Sequence, residues 1–262
     1  MSQTLKVVYY VEPDADALTE RAARYFVEGI EAAVRARGRA RIAISGGTAP
    51  QPVFAALADR SRRWRARLPW DKLEVFWVDE RCVPPDDKAS NYRMASEAML
   101  KHVPLEPAQI HRMEGELEPQ AAAARYESEL RNSFRLEGAE APRFDLIQLG
   151  LGPDGHTASL FPHSAALHEY GRLAVANLTD AEQPWRLTLT APVINQGRDV
   201  FFLASKSEKA QVLHDVLLGR RDPEQLPSQL IRPAGGILTL LLDKAAAALL
   251  PETDASGRGE IL

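Results

Sequence analysis

The chain has 262 residues, 45% of them hydrophobic and 26% charged, which excludes disordered and fibrous classes and suffices for a sizeable core. Its 32 basic against 36 acidic side chains give a net charge of -4, leaving no basic excess to hold a nucleic acid, whereas a small anion needs only a few local cations. One cysteine, Cys82, excludes an internal disulfide framework and fits a reducing compartment; with no basic-then-apolar leader and no apolar run of about 20 residues, the expectation is a cytoplasmic protein without membrane contacts.

Short apolar runs alternate with amphipathic ones. A strand over 7–11 precedes a helix over 14–37, with Leu18, Ala22, Tyr25, Phe26 and Ile30 at helical spacing and Gly38 closing it. A strand over 41–44 opens into Ser45-Gly46-Gly47-Thr48 and a helix near 53–58. The strand at 73–78 ends in Asp79-Glu80-Arg81, followed by a Pro- and Asp-rich loop and a helix capped near Asn91. A helix over 119–136 leads to a strand at 144–149, then Gly150-Leu151-Gly152-Pro153-Asp154-Gly155-His156. Further strands are expected at 172–178, 186–189, 200–204 and 237–242, with a helix over 208–218. This alternation predicts one α/β domain over 1–262, a mostly parallel sheet with helices on both faces.

In such sheets ligands sit beyond the carboxyl ends of the strands. Three strands end in the segments richest in chemistry: 45–48, 79–81 and 150–156. Ser45, Gly46, Gly47 and Thr48 lie between strand and helix, where glycine backbone approaches an anion and a helix N-terminus favours it; the plain alternative is a capped turn. Arg81 is suited to a phosphate or a developing oxyanion, with Asp79 beside it to orient a partner. His156 is the candidate general base and Asp154 its candidate orienter. Lys206, Lys209, Arg186 and Arg232 are cations that either close on a phosphate from the far side or remain surface charges.

Gly150-x-Gly152-x-x-Gly155 also spells a dinucleotide fingerprint. The following strand, however, ends in Asn177-Leu178-Thr179 rather than an acid for the ribose, and Asp154 would face a pyrophosphate, so that reading is rejected. His156, His163 and His168 match no standard ligand spacing and there is one cysteine, so no metal is expected.

Taken in order, residues 43–50, 77–84, Ser90-Asn91-Tyr92, 149–162 and 186–190 resemble the glucosamine-6-phosphate isomerase/6-phosphogluconolactonase family, on its lactonase side, over almost the whole chain. The resemblance implies a three-layer Rossmann-like sandwich, with or without a small extra subdomain, and cofactor-free hydrolysis of 6-phospho-D-glucono-1,5-lactone. It implies a phosphate loop at 45–48, with Ala49 where a second Thr is usual, a phosphate-contacting lysine at Lys209, and His156 as the base that activates water. The related deaminases carry a Glu before the Pro of the corresponding segment; Phe161 stands there in this chain and cannot shuttle protons, so lactone hydrolysis is favoured. The alternatives are an amino-sugar-phosphate deaminase or isomerase, or a non-catalytic sugar-phosphate sensor. The expected partner is a small phosphorylated sugar lactone, and the expected assembly a monomer or small homo-oligomer.

Overall fold

The computed structural model describes residues 5–179 and 185–261; the start of the chain, 1–4, read above as carrying no leader, lies outside them. The first half contains β1 (Lys6–Glu12), α1 (Ala15–Arg37), β2 (Ala40–Ile44), α2 (Pro50–Ala58), α3 (Arg63–Arg67), β3 (Leu73–Trp77), β4 (Asp79–Arg81), α4 (Asn91–Ala98), β5 (Ile110–His111) and α5 (Pro119–Phe134). The second contains β6 (Leu146–Leu149), β7 (Ala174–Leu178), β8 (Trp185–Leu189), α6 (Ala191–Asn195), β9 (Val200–Ala204), α7 (Ala210–Leu218), β10 (Ile237–Asp243) and β11 (Arg258–Ile261).

Among the described residues an eight-stranded sheet runs β11-β1-β10-β9-β6-β2-β3-β5, parallel except for β11 at one edge. Its central strands are apolar without alternation, and every residue of β6 and β9 is buried, as expected where both faces are covered. α1 is capped at both ends by its own sequence. The Asp14 carboxylate accepts from Ala17 N–H at 2.9 Å, and Gly38, at φ 75°, donates its N–H to Val34 O. The buried stripe Leu18, Ala22, Phe26 and Ile30 packs α1 onto the sheet, where Phe26 meets Phe201 edge-on with ring centroids 5.3 Å apart.

The expectation of one sheet is corrected for the strands at 172–178 and 186–189. β7 and β8 form a separate antiparallel sheet with β4, in the order β4-β8-β7. The chain leaves the main sheet at Val78, whose N–H donates to Ile44 O at 2.9 Å while its carbonyl accepts from Leu189 N–H at 2.7 Å. One residue thus hands β3 over to β4, and the small sheet is seated against the carboxyl ends of the large one. Two edge strands, β5 and β11, and the short α3 and α6 carry too little periodicity to be predicted.

From β2 the chain winds to β3 and β5 on one side; from β6 it winds to β9 and β10 on the other. The order reverses between β2 and β6, and the crevice opens where these two adjacent strands diverge into Ser45 and Gly150.

Candidate active site

A cleft of about 380 Å³ lies at this reversal, lined by residues 45–50, Asp79, Arg81, Asn91, 150–153, His156, Lys206 and Lys209 among others. Eleven of the twelve residues proposed from sequence thus fall into or beside one space, although they are spread over 165 positions of chain, from Ser45 to Lys209.

Gly152 and Gly155 shape the turn that carries His156. Gly155 turns at φ 79°, and Gly152 N–H donates to His156 O at 2.8 Å, closing a tight loop. The loop brings His156 Nδ1 to 2.5 Å from Asp154 Oδ1, with His156 N–H donating to the same oxygen at 3.2 Å. Burial pushes the Asp154 carboxyl up, but the hydrogen bond and charge of His156 bring it below the ordinary carboxylate value. An ionised carboxylate only accepts, so in the neutral imidazole the hydrogen is on Nδ1 and Nε2 is the acceptor. The Phe161 ring packs on His156, centroids 4.3 Å apart, and limits its rotation. Phe161 thus helps to hold the His156 ring in place.

The loop 157–164 that follows is clamped by the small sheet. Ser159 N–H donates to Thr188 Oγ1 of β8, and Asn177 Nδ2 of β7 donates to Ser159 O and Ser164 Oγ. Ser159 Oγ donates at 2.8 Å to Asp79 Oδ2, while Asn91 Nδ2 donates to Asp79 O at 2.9 Å. Asp79, expected to orient His156 or Arg81, is instead bonded to Ser159 and Asn91 and ties three walls of the cleft together. The reason is its depth: at 7% exposure it sits below the two residues it was expected to touch.

Alternation along β4 separates the triplet at 79–81. Asp79 and Arg81 line the cleft; Glu80 points to the other face, where its carboxylate accepts from Arg81, Asn91 and Tyr92 N–H at 2.7–2.8 Å and from Ser90 Oγ at 3.0 Å. Glu80 is thus a buried carboxylate cap on α4, a use of charge that its position beside Asp79 hid. Arg81 is steadied by Nη1 donating to Ala89 O at 2.6 Å. Arg186 stands opposite it in the β4–β8 register, behind the cleft lining; burial, then the Arg81 charge, hold its guanidinium below the usual value.

The loop at 45–48 is held from the sheet. Ser45 N–H donates to Gln148 Oε1 at 3.0 Å and Gln148 Nε2 returns a bond to Ser45 Oγ at 2.8 Å. Gln148 is fully buried in an apolar strand, the signal that would have exposed its role. Past this anchor, Gly46, Gly47 and Thr48 N–H donate to no carbonyl in a turn or loop among the described residues, and Pro50 opens α2 without an N–H of its own. A Cβ on Gly46 would fall 1.7 Å from Asn91 Oδ1, so the loop needs glycine there.

Arg232 is not brought to the site. Its N–H donates to Asn195 Oδ1, just before β9, and the chain then enters β10 at Ile237. A parallel strand must begin at the amino edge of the sheet, so the segment before β10 is carried away from the cleft. Cys82 stays a structural thiol, pushed up to about 11 by burial. Among the described residues no group of three His, Cys, Asp or Glu side chains is arranged to hold a metal ion, and no helix is long and apolar enough to cross a membrane.

Residues 13–240 match the family described as glucosamine-6-phosphate isomerases/6-phosphogluconolactonase. A 6-phosphogluconolactonase of Synechocystis sp. is 43% identical over 235 residues, 89% of this chain and 95% of its own length. One of Nostoc sp. is 38% identical, covering 95% of this chain and 99% of its own. The solved structure of 6-phosphogluconolactonase from Trypanosoma brucei superposes with a TM-score of 0.78 at 30% identity, over 95% of this chain and all of that one.

Proposed function

The chain belongs to the glucosamine-6-phosphate isomerase/6-phosphogluconolactonase family, and from that premise we propose that its cleft hydrolyses 6-phospho-D-glucono-1,5-lactone to 6-phosphogluconate, a step of the pentose phosphate pathway. The observation that carries the assignment of roles is the Asp154–His156 contact at 2.5 Å, which leaves Nε2 as a lone-pair base at the mouth of a cationic cleft.

His156 Nε2 takes a proton from water as its oxygen bonds to the lactone carbonyl carbon. The carbonyl π pair moves onto oxygen, and Arg81, fixed by Ala89, meets that oxyanion. When the intermediate collapses, the bond from carbon to ring oxygen breaks, and His156 returns its proton to the leaving oxygen. Asp154 holds the imidazole in one tautomer throughout. The N–H groups of Gly46, Gly47 and Thr48, aided by Lys209, hold the phosphate and with it the reacting carbon. Asp79 positions the wall that carries Ser159; Arg186 reinforces the positive field behind Arg81.

The direct test generates the phospholactone with glucose-6-phosphate dehydrogenase and follows its disappearance with and without the protein. Accelerated loss is expected. A rate equal to spontaneous hydrolysis overturns the reading, and turnover of glucosamine 6-phosphate would redirect it to the deaminases of the same family.

A further inference from the structure

The turn after β9 holds a lysine in a backbone conformation that suits glycine. Lys206 has φ 82° and ψ 150°, a region that side chains bearing a Cβ avoid. Asp243, buried at the carboxyl end of β10, enforces it: its carboxylate accepts from Lys206 N–H at 2.9 and 3.2 Å, from Ser205 Oγ at 2.5 Å and from Ala246 N–H at 2.7 Å. Glycine would make the same bonds without strain. What lysine adds is a side chain that lines the cleft together with the loop at 45–48.

Charge on this wall shows what the addition does. Lys209 also lines the cleft, but its ammonium lies 3.8 Å from the Glu208 carboxylate, which lines it too. Glu208 offsets part of the Lys209 charge, whereas the Lys206 ammonium has no carboxylate within 4 Å among the described residues. A phosphate monoester carries nearly two negative charges at neutral pH, more than a half-neutralised Lys209 offsets.

Resting on the phosphosugar reading above, we infer that Lys206 is a second phosphate-binding cation, a specificity residue that lets this cleft favour phosphorylated ligands, retained at the expense of backbone strain. The experiment compares Lys206→Gly and Lys206→Ala with the parent by calorimetric titration of 6-phosphogluconate, gluconate and inorganic phosphate, and by thermal unfolding. Both variants are expected to bind 6-phosphogluconate and phosphate about tenfold more weakly, with gluconate binding unmoved. Lys206→Gly is expected to melt higher than Lys206→Ala, because only glycine relieves the strain. Unchanged phosphate and 6-phosphogluconate affinities in both variants overturn the inference and leave the lysine as a tolerated turn residue. Weakened phosphate binding in a protein that does not accelerate lactone hydrolysis would keep Lys206 and overturn the proposed reaction instead.

Discussion

Gly152 and His156 are in packing contact: a Cβ at residue 152 would lie 2.0 Å from His156 Nδ1 and 2.6 Å from Asp154 Oδ1. The glycine is therefore the floor on which His156 and Asp154 rest. Gly150, two residues earlier, has only Ser45 Oγ within reach, at 3.8 Å. Gly152→Ala is expected to displace the imidazole and abolish most turnover, whereas Gly150→Ala is expected to retain it. The pair is read in one lactone assay; equal effects would break the link between Gly152 and the base.

His156→Ala removes the proton acceptor, and kcat is expected to fall by about 10²- to 10⁴-fold. Substrate binding, proposed to rest on the loop at 45–48 and Lys209, is expected to survive. A variant with full rate would take His156 out of the mechanism.

Asp154→Asn tests the tautomer separately. Since the carboxyl is held below its ordinary value, its pairing contributes above the unfolded value and is lost only as pH falls through the lower folded one, so it is intact at neutral pH and decays below about pH 4. Between pH 6 and 8 the amide variant is expected to lose about 10²-fold or more in kcat, with no recovery at any pH in that range. Parent-like rates would mean that the 2.5 Å contact is structural.

Glu80→Gln replaces two accepting oxygens by one oxygen and an NH₂ group, leaving donors among Ser90, Arg81, Asn91 and Tyr92 opposed to a donor in a buried site. A loss of about 1–3 kcal/mol is expected in urea unfolding. Stability equal to the parent would show that α4 does not depend on this cap.

Burial keeps Cys82 near 11, so roughly one thiol in 10⁴ is ionised at pH 7. Iodoacetamide is expected to label it slowly at neutral pH without loss of activity, and faster as the pH rises. Rapid inactivation at pH 7 would give the thiol a role that its surroundings do not support.

Much of this was legible in the chain. The apolar runs of β1, β2, β3, β6, β9 and β10 announce strands buried on both faces, and Asp14 and Gly38 mark the ends of α1, because these signals act over a few residues. The three strand ends at 45–48, 79–81 and 150–156 point to the cleft by the geometry of parallel sheets alone. Asp154 and His156, two residues apart, needed only their own turn to meet.

What tertiary structure alone decided depends on partners distant in sequence. Ser45 and Gln148 are 103 positions apart, and Ser159 reaches Asp79 over 80; no local pattern encodes either bond. Glu80 was separated from its two charged neighbours by strand alternation, which matters only once β4 has a cleft on one face and α4 on the other. β7 and β8 read as further parallel strands, yet the handover at Val78 placed them in a sheet of their own. Arg232 had the right charge and the wrong end of the sheet, since a parallel strand must be re-entered from its amino edge. Residue types and short-range turns thus determined which chemistry this protein carries, while the long-range closure of the sheet decided which of those residues face one another.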